Sequence, residues 1–259
     1  VDWFNDPEKN IHAPWGWNVF NNNFFSKETG GISQYDFNVS FNIEDRVYLG
    51  ATLGVYDVNY DRYTSYTENL NDDKGADNGG YTLDNYYRLE GTGLDLKLGV
   101  IVRPIESSPF RLGFAVHTPT WYDLRESYNA TLSSDILAYE KPYIQTLSDF
   151  LVTPEYDYLT YDYNLTTPWK FNVSAGTTFA GAVAVGAEYE YQDYSSSKLK
   201  DVDGYELGDQ PSVENYLKGV HTFRIGMETR IIPEFSIRAG YNYSSAAFSK
   251  DAYSALSLY

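Results

Sequence analysis

Residues 33–56 read SQYDFNVSFNIEDRVYLGATLGVY. Tyr35, Phe37, Val39, Phe41 and Ile43 alternate with Asp36, Asn38, Ser40 and Asn42. Successive side chains of a strand point to opposite faces, so this period of two predicts a strand with one apolar and one polar face. After Glu44 and Asp45 the pattern resumes, with Val47, Leu49, Ala51, Leu53 and Val55 opposite Tyr48, Gly50, Thr52, Gly54 and Tyr56. Two such runs joined by so short a turn form a hairpin.

Six more runs follow the same rule. Leu94, Leu96, Leu98, Val100 and Val102 oppose Gly93, Asp95, Lys97, Gly99 and Ile101, and Phe110, Leu112, Phe114 and Val116 oppose Arg111, Gly113, Ala115 and His117. Trp169, Phe171, Val173 and Ala175 alternate with Lys170, Asn172, Ser174 and Gly176, and Val183, Val185, Ala187, Tyr189 and Tyr191 with Ala184, Gly186, Glu188 and Glu190. The last pair sets Phe223, Ile225, Met227 and Ile231 against Thr222, Arg224, Gly226, Glu228 and Arg230, then Phe235, Ile237, Ala239, Tyr241 and Tyr243 against Ser236, Arg238, Gly240, Asn242 and Ser244. Alternation alone also suits a water-soluble sandwich. Three features favour a membrane barrel: small and polar residues fill the polar face, Tyr and Trp crowd the strand ends, and short turns alternate with long polar connections at about 61–84, 122–157 and 195–217. That asymmetry belongs to the periplasmic and extracellular ends of outer-membrane barrels. The expected fold is therefore an all-β, transmembrane antiparallel β-barrel, with eight strands visible.

Composition agrees. The 259 residues include 26 Tyr and 14 Phe but no Cys, and mean hydropathy is negative. No run of about eighteen apolar residues could cross a bilayer as a helix. The net charge of −17 and the absence of a Lys/Arg cluster exclude a nucleic-acid partner. The boundaries read as residues 1–32 for an extracellular lip or loop, with Trp15, Trp17, Phe20, Phe24 and Phe25, then 33–245 for barrel strands with long extracellular loops, then 246–259 for an extracellular loop or the start of a further strand. With the short turns periplasmic, both ends of this strand set fall outside the cell. Single-chain barrels keep their termini periplasmic, so a strand is expected before Ser33 and another after Tyr243.

Four segments, SPFRLGFAVHTPTWYDL (108–124), TPWKFNVSAGTTF (167–179), AVGAEYEYQDYSSSKL (184–199) and FRIGMETRIIPEFSIRAGYNY (223–243), resemble the FadL family of outer-membrane transporters for long-chain fatty acids and other hydrophobic small molecules. The resemblance implies a fourteen-stranded monomeric barrel with an N-terminal plug, ligand capture at the extracellular loops, and lateral exit through a gap in the wall. The chain departs from that pattern in showing eight strands and nothing like the plug. An alternative role is a subunit or shuttle within a larger outer-membrane secretion or uptake complex with other outer-membrane proteins; a general porin is a third reading.

For a fatty-acid carboxylate, Lys97, Arg111, His117, Lys170, Arg224, Arg230 and Arg238 on the polar face are candidate ligands. The competing reading is an internal salt-bridge network with Asp95, Glu188, Glu190 and Glu228, because buried charges are usually paired. Trp121, closing HTPTW, could shape a ligand groove, although a proline there more often just ends strand pairing. The acidic stretches NDDKGADNGG (71–80) and DVDGYELGD (201–209) have oxygen ligands at calcium-like intervals without completing an EF-hand. They read as solvated turns or as divalent-bridged contacts with lipopolysaccharide. His12, His117 and His221 have no zinc spacing, and no Gly-x-Ser-x-Gly occurs. Neither a metal, a cofactor nor an enzyme activity is expected; the partners expected are hydrophobic small molecules or fatty acids and outer-membrane lipid.

Overall fold

The computed structural model describes residues 5–6, 11–12, 18–71, 75, 77–135, 143–146, 159–232 and 234–255. Trp15, Trp17, Pro233, and Asp72, Asp73, Lys74 and Ala76 of the first acidic stretch lie outside the described residues. The strands are β1 Asn5–Asp6, β2 Ile11–His12, β3 Asn18–Ile43, β4 Val47–Asn71, β5 Asp77–Val102, β6 Arg111–His117, β7 Trp121–Ser134, β8 Tyr143–Thr146, β9 Leu159–Thr166, β10 Lys170–Phe179, β11 Val183–Asp193, β12 Lys198–Asp201, β13 Gly219–Ile232 and β14 Phe235–Ser244. Two short helices, α1 Gln210–Tyr216 and α2 Lys250–Ala255, and one 3-10 turn, Tyr194–Ser196, complete the described elements. No described helix is long and apolar enough to cross a membrane. The chain is all-β, the class that period-two alternation predicts.

Apart from the β1–β2 pair, the strands join one sheet in the order β12-β9-β7-β5-β6-β10-β11-β13-β14, with β4 joining β3 to β5 and β8 on β7. Its hairpins use the turns read from sequence. Glu44 and Asp45 both have positive φ (53° and 52°), as do Ala180 and Gly181 (48° and 65°). Two successive positive-φ residues twist the chain in the sense that flanking strands require. Each turn is closed by a backbone bond, Arg46 N to Ile43 O at 3.0 Å and Ala182 N to Phe179 O at 3.0 Å.

The chain divides into two compact units. One comprises Ile32–Val58, Gly91–Leu124 and Asp162–Tyr259. Here the burial order of a soluble protein is inverted: Phe37, Phe114 and Ile225 are 66%, 49% and 60% exposed, whereas Asp95 is 4% exposed. The cross-strand register keeps the apolar residues on one face, as in Val100↔Phe114↔Val173↔Tyr189↔Phe223↔Tyr243. A sandwich core would bury that row.

The other unit comprises Val1–Gly31, Asn59–Glu90 and Arg125–Tyr161. Much of it carries strand where the sequence predicts loops. β3 begins at Asn18 and not at Ser33, and β4 and β5 occupy most of 61–84. Apolar alternation stops there, which hides the strands, but tyrosines pair across them. Tyr63 packs on Phe25 and on Tyr86 (ring centroids 6.0 and 4.8 Å), Tyr60 on Tyr87, and Tyr66 on Tyr81. Such cross-strand aromatic pairs stabilise a sheet without an apolar face. Their hydroxyls donate to carboxylates, Tyr63 to Asp84 at 2.8 Å, Tyr87 to Glu126 at 3.0 Å, and Tyr66 to Glu68. Bonds from Tyr66 and then from Tyr81 hold the Glu68 carboxyl below its usual range, while burial and then Glu68 push the Tyr81 phenol up to about 12.

Candidate functional site

The sequence carries Thr-Pro twice before a tryptophan, in Thr118-Pro119-Thr120-Trp121 and Thr167-Pro168-Trp169. Proline has no N–H for a ladder bond, so each copy breaks its strand. The first separates β6 from β7 and the second separates β9 from β10. The two breaks are stitched together. Thr120 N donates to Thr167 Oγ1 at 2.8 Å, and Thr167 N returns a bond to Thr120 O at 3.0 Å. On the other side of the first break, Leu96 N donates to Thr118 Oγ1 at 3.0 Å and Thr118 N to Leu96 O at 2.9 Å.

The far side of the second break is open. Ladder pairing of β10 with β11 ends at Lys170↔Gln192, and pairing of β9 with β12 resumes at Thr166↔Lys198. Between those rungs, residues 167–169 face a turn at 193–197 that turns its polar groups inward on itself. Asp193 Oδ1 accepts from Ser195 N at 3.1 Å and Ser195 Oγ at 2.7 Å, and Ser197 N donates to Tyr194 O at 3.2 Å. Gln210, 1% exposed, then braces this edge from α1: its Nε2 donates to Ser197 O at 3.0 Å and its Oε1 accepts from Leu199 N at 2.8 Å. The ladder is thus interrupted, and on its border Ser195 N, Ser197 N, Ser197 O and Leu199 N find partners locally.

Each face of the sheet is concave at the interruption. On the apolar face lies a hollow of about 380 Å³ lined by Trp169, Phe171, Tyr191, Asp193 and Ser196. On the polar face a pocket of about 530 Å³ is lined by Tyr56, Asp95, Lys97, His117, Thr120, Lys170 and their neighbours. Lys97, His117 and Lys170 are direct cross-strand partners, Lys97↔His117↔Lys170. A third concavity, about 620 Å³ on the apolar face between Phe41, Leu49, Phe114 and Phe171, has almost no polar lining.

Of the residues singled out in the sequence, the pocket gathers Lys97, His117 and Lys170. Lys97 Nζ lies 3.3 Å from Asp36 Oδ1 and 3.7 Å from Asp95 Oδ1, and Lys170 Nζ lies 3.9 Å from Glu190 Oε1. Arg224 lies outside the pocket lining, paired with Glu188 and with Glu190 at 3.3 Å. Arg238 bonds Glu228 at 2.7 Å, Arg111 sits 5.7 Å over the Tyr48 ring, and Arg230 is exposed. Trp121 opens β7 with 49% exposure and does not line the pocket. His221 meets the Tyr189 hydroxyl at 2.8 Å on the apolar register. In the second acidic stretch Asp201 Oδ1 accepts from Asp203 N and Tyr205 N, the bonding of a self-closed turn, and no three metal-ligating side chains cluster among the described residues. The sequence reading missed Gln210, Thr167 and Pro168. The repeated Thr-Pro was the signal for the last two.

No protein-family model and no curated protein matches the chain. Among solved structures it is similar to the Pseudomonas putida toluene transporter TodX, at 11% identity and a TM-score of 0.41 over 91% of this chain and 76% of that one. It is also similar to the monoaromatic hydrocarbon channel CymD, at 12% identity and a TM-score of 0.41 over 90% of this chain and 75% of that one. Likeness this distant carries no substrate with it.

Proposed function

We propose that the chain forms part of the wall of an outer-membrane β-barrel through which hydrophobic small molecules pass without an energy source, leaving sideways at the interruption between residues 167–169 and 193–197. The observation that carries this reading is that break, with a polar pocket on one face and a hollow flanked by Trp169, Phe171 and Tyr191 on the other. In a continuous ladder the backbone closes the wall. Here the ladder lapses between residues 167–169 and 193–197, and the turn at 193–197 bonds to itself, as backbone at membrane depth favours.

Sideways exit suits such a solute physically. A molecule that moves from pocket to hydrocarbon never enters the aqueous compartment beyond, so it avoids the cost of hydrating its apolar surface. The exposed apolar face supports placement in a bilayer, since monomeric soluble proteins rarely expose contiguous apolar patches above a few hundred Å².

The test fills the hollow. Ser196→Trp places a bulky ring beside Trp169 without touching the ladder. It is expected to cut ethylbenzene uptake into cells or proteoliposomes at least about tenfold while membrane insertion, read by resistance to unfolding on unheated gels, is kept. Unchanged uptake by a correctly inserted variant overturns lateral exit, and absence of uptake by the unaltered protein overturns the transport reading itself.

A further inference from the structure

Several polar groups around the polar-face pocket are already committed to one another. The Tyr56 hydroxyl and Thr120 Oγ1 donate to Asp95 Oδ2 at 2.7 and 3.3 Å, Thr118 Oγ1 donates to Pro119 O at 2.9 Å, and Gln34 Nε2 donates to Asp36 Oδ1 at 2.8 Å. Asp95 itself, 4% exposed, is withdrawn from the pocket. Two groups stand apart. Lys170 Nζ is 3.9 Å from Glu190 Oε1, beyond hydrogen-bond reach, and neither that ammonium nor the His117 ring has a hydrogen-bond partner among the described residues. Both residues are half-buried and line the pocket.

His117 and Lys170 are direct cross-strand partners on one face, so their Cβ atoms stand about 5 Å apart and one small acceptor atom can reach both side chains. An ammonium brings three donors and no acceptor, and a neutral imidazole brings one N–H. The pair is thus rich in donors and calls for an oxygen with two lone pairs. The charges nearby decide which oxygen. Lys97, Lys170 and Arg224 face four carboxylates, Asp36, Asp95, Glu188 and Glu190, so one negative charge is already in excess. A carboxylate ligand would add a like charge. A bare hydrocarbon would cover the two donors without bonding either. A hydroxyl would bring a further donor to a place short of acceptors. An uncharged carbonyl supplies the acceptor and nothing else.

We infer that the pocket beside the interruption recognises hydrophobic molecules that carry an uncharged carbonyl, ketones or esters, with Lys170 and His117 donating to the one oxygen. The inference rests on the proposed passage of hydrophobic molecules and names the class that passage selects.

Acetophenone, α-methylstyrene and benzoate share one shape and differ in the group beside the ring: a neutral carbonyl, a carbon–carbon double bond in its place, and a charged carboxylate. Each is titrated calorimetrically into the full chain in lipid nanodiscs at pH 8, where an ordinary histidine is neutral and a benzoate is charged. Each affinity is taken relative to partition into empty nanodiscs, because lipid is the phase with which the passage exchanges solute. On that scale acetophenone is expected to bind at least about tenfold more tightly than either other probe, as a hydrogen bond to a charged group allows. The infrared stretch of an isotope-labelled acetophenone carbonyl should fall on binding below its value in empty nanodiscs. Lys170→Met and His117→Leu should each lower the ratio of acetophenone to α-methylstyrene affinity and raise that stretch, and the infrared shift in the unaltered chain keeps its meaning should a variant fail to insert. Equal affinities for ketone and alkene with an unshifted stretch overturn the carbonyl assignment and leave the passage intact. Tightest binding of benzoate also overturns it, since the pocket then welcomes a charge. Binding of none of the three by a chain that still takes up ethylbenzene overturns the site alone; without that uptake the passage falls as well.

Discussion

Gly54 shows how tightly the polar face is packed around Asp95. A Cβ at this position would overlap Asp95 Oδ1 and lie 3.2 Å from Asp36 Oδ1, whereas one at Gly50, on the same face of the same strand, meets nothing within 4 Å. Gly54→Ala must therefore move a buried carboxylate and is expected to destabilise the fold by about 1–3 kcal/mol, as overpacking generally does. Gly50→Ala should stay within about 0.5 kcal/mol; urea unfolding midpoints in lipid measure the difference. Gln210 is the complementary case. Gln210→Ala strips the Leu199 N–H and the Ser197 carbonyl of their partner, so hydrogen exchange at Leu199 is expected to speed up by the equivalent of about 1–3 kcal/mol. The two residues differ in how far sequence reveals them. Lys97, His117 and Lys170 are legible because alternation assigns them a face, and Asp95 is legible as a charge that a lysine could match. Gln210 is not, because its role depends on α1 returning to a turn thirteen residues away.

The elements were legible where a face is apolar and hidden where it is not. All eight alternating runs are strands, and the turns at Glu44-Asp45 and Ala180-Gly181 sit where the runs meet. The continuation of β4 through Asn71 escaped notice because the tyrosine pairing that supports it involves β3 and β5, which local pattern cannot show. Breaks are harder to read than strands: Pro119 and Pro168 announce them singly, but the reciprocal Thr120–Thr167 bonds depend on register. Thr167→Val removes the acceptor for Thr120 N–H while keeping shape, and should cost about 1–3 kcal/mol in unfolding midpoint. The edge at 198–214 carries its own pH dependence. Lys198, 2.8 Å from Glu214, and then Gln210 hold the Glu214 carboxyl below its ordinary 4.5. A carboxylate with a lowered folded pKa stabilises above its unfolded value, and that contribution is lost as pH falls through the folded one. Proteolysis of segment 198–217 is therefore expected to accelerate below about pH 4.5, less so in high salt because the pair is exposed. An acid-insensitive segment would show that the pair contributes nothing.

At the scale of the molecule, the decisive quantity is which solvent meets the apolar face. Along β3, Phe37, Val39 and Phe41 are 66%, 51% and 62% exposed, and their polar neighbours Asn38, Ser40 and Asn42 are exposed as well. The protein alone therefore gives a reagent equal access to both faces. Only surrounding hydrocarbon can make access alternate. The chain has no cysteine, so single substitutions report without background. Phe37→Cys, Val39→Cys and Phe41→Cys in proteoliposomes are expected to resist a charged, membrane-impermeant maleimide and to react with a lipid-soluble one. Asn38→Cys, Ser40→Cys and Asn42→Cys should react with the charged reagent, giving a period of two along the strand. Dissolving the lipid in denaturant should abolish the alternation. A sandwich or a lattice of soluble subunits predicts something else: both faces label with the charged reagent, or the apolar face resists both reagents. Equal labelling of Phe37→Cys and Asn38→Cys in intact vesicles would remove the bilayer from this picture, and with it any reason for solutes to leave through the sheet.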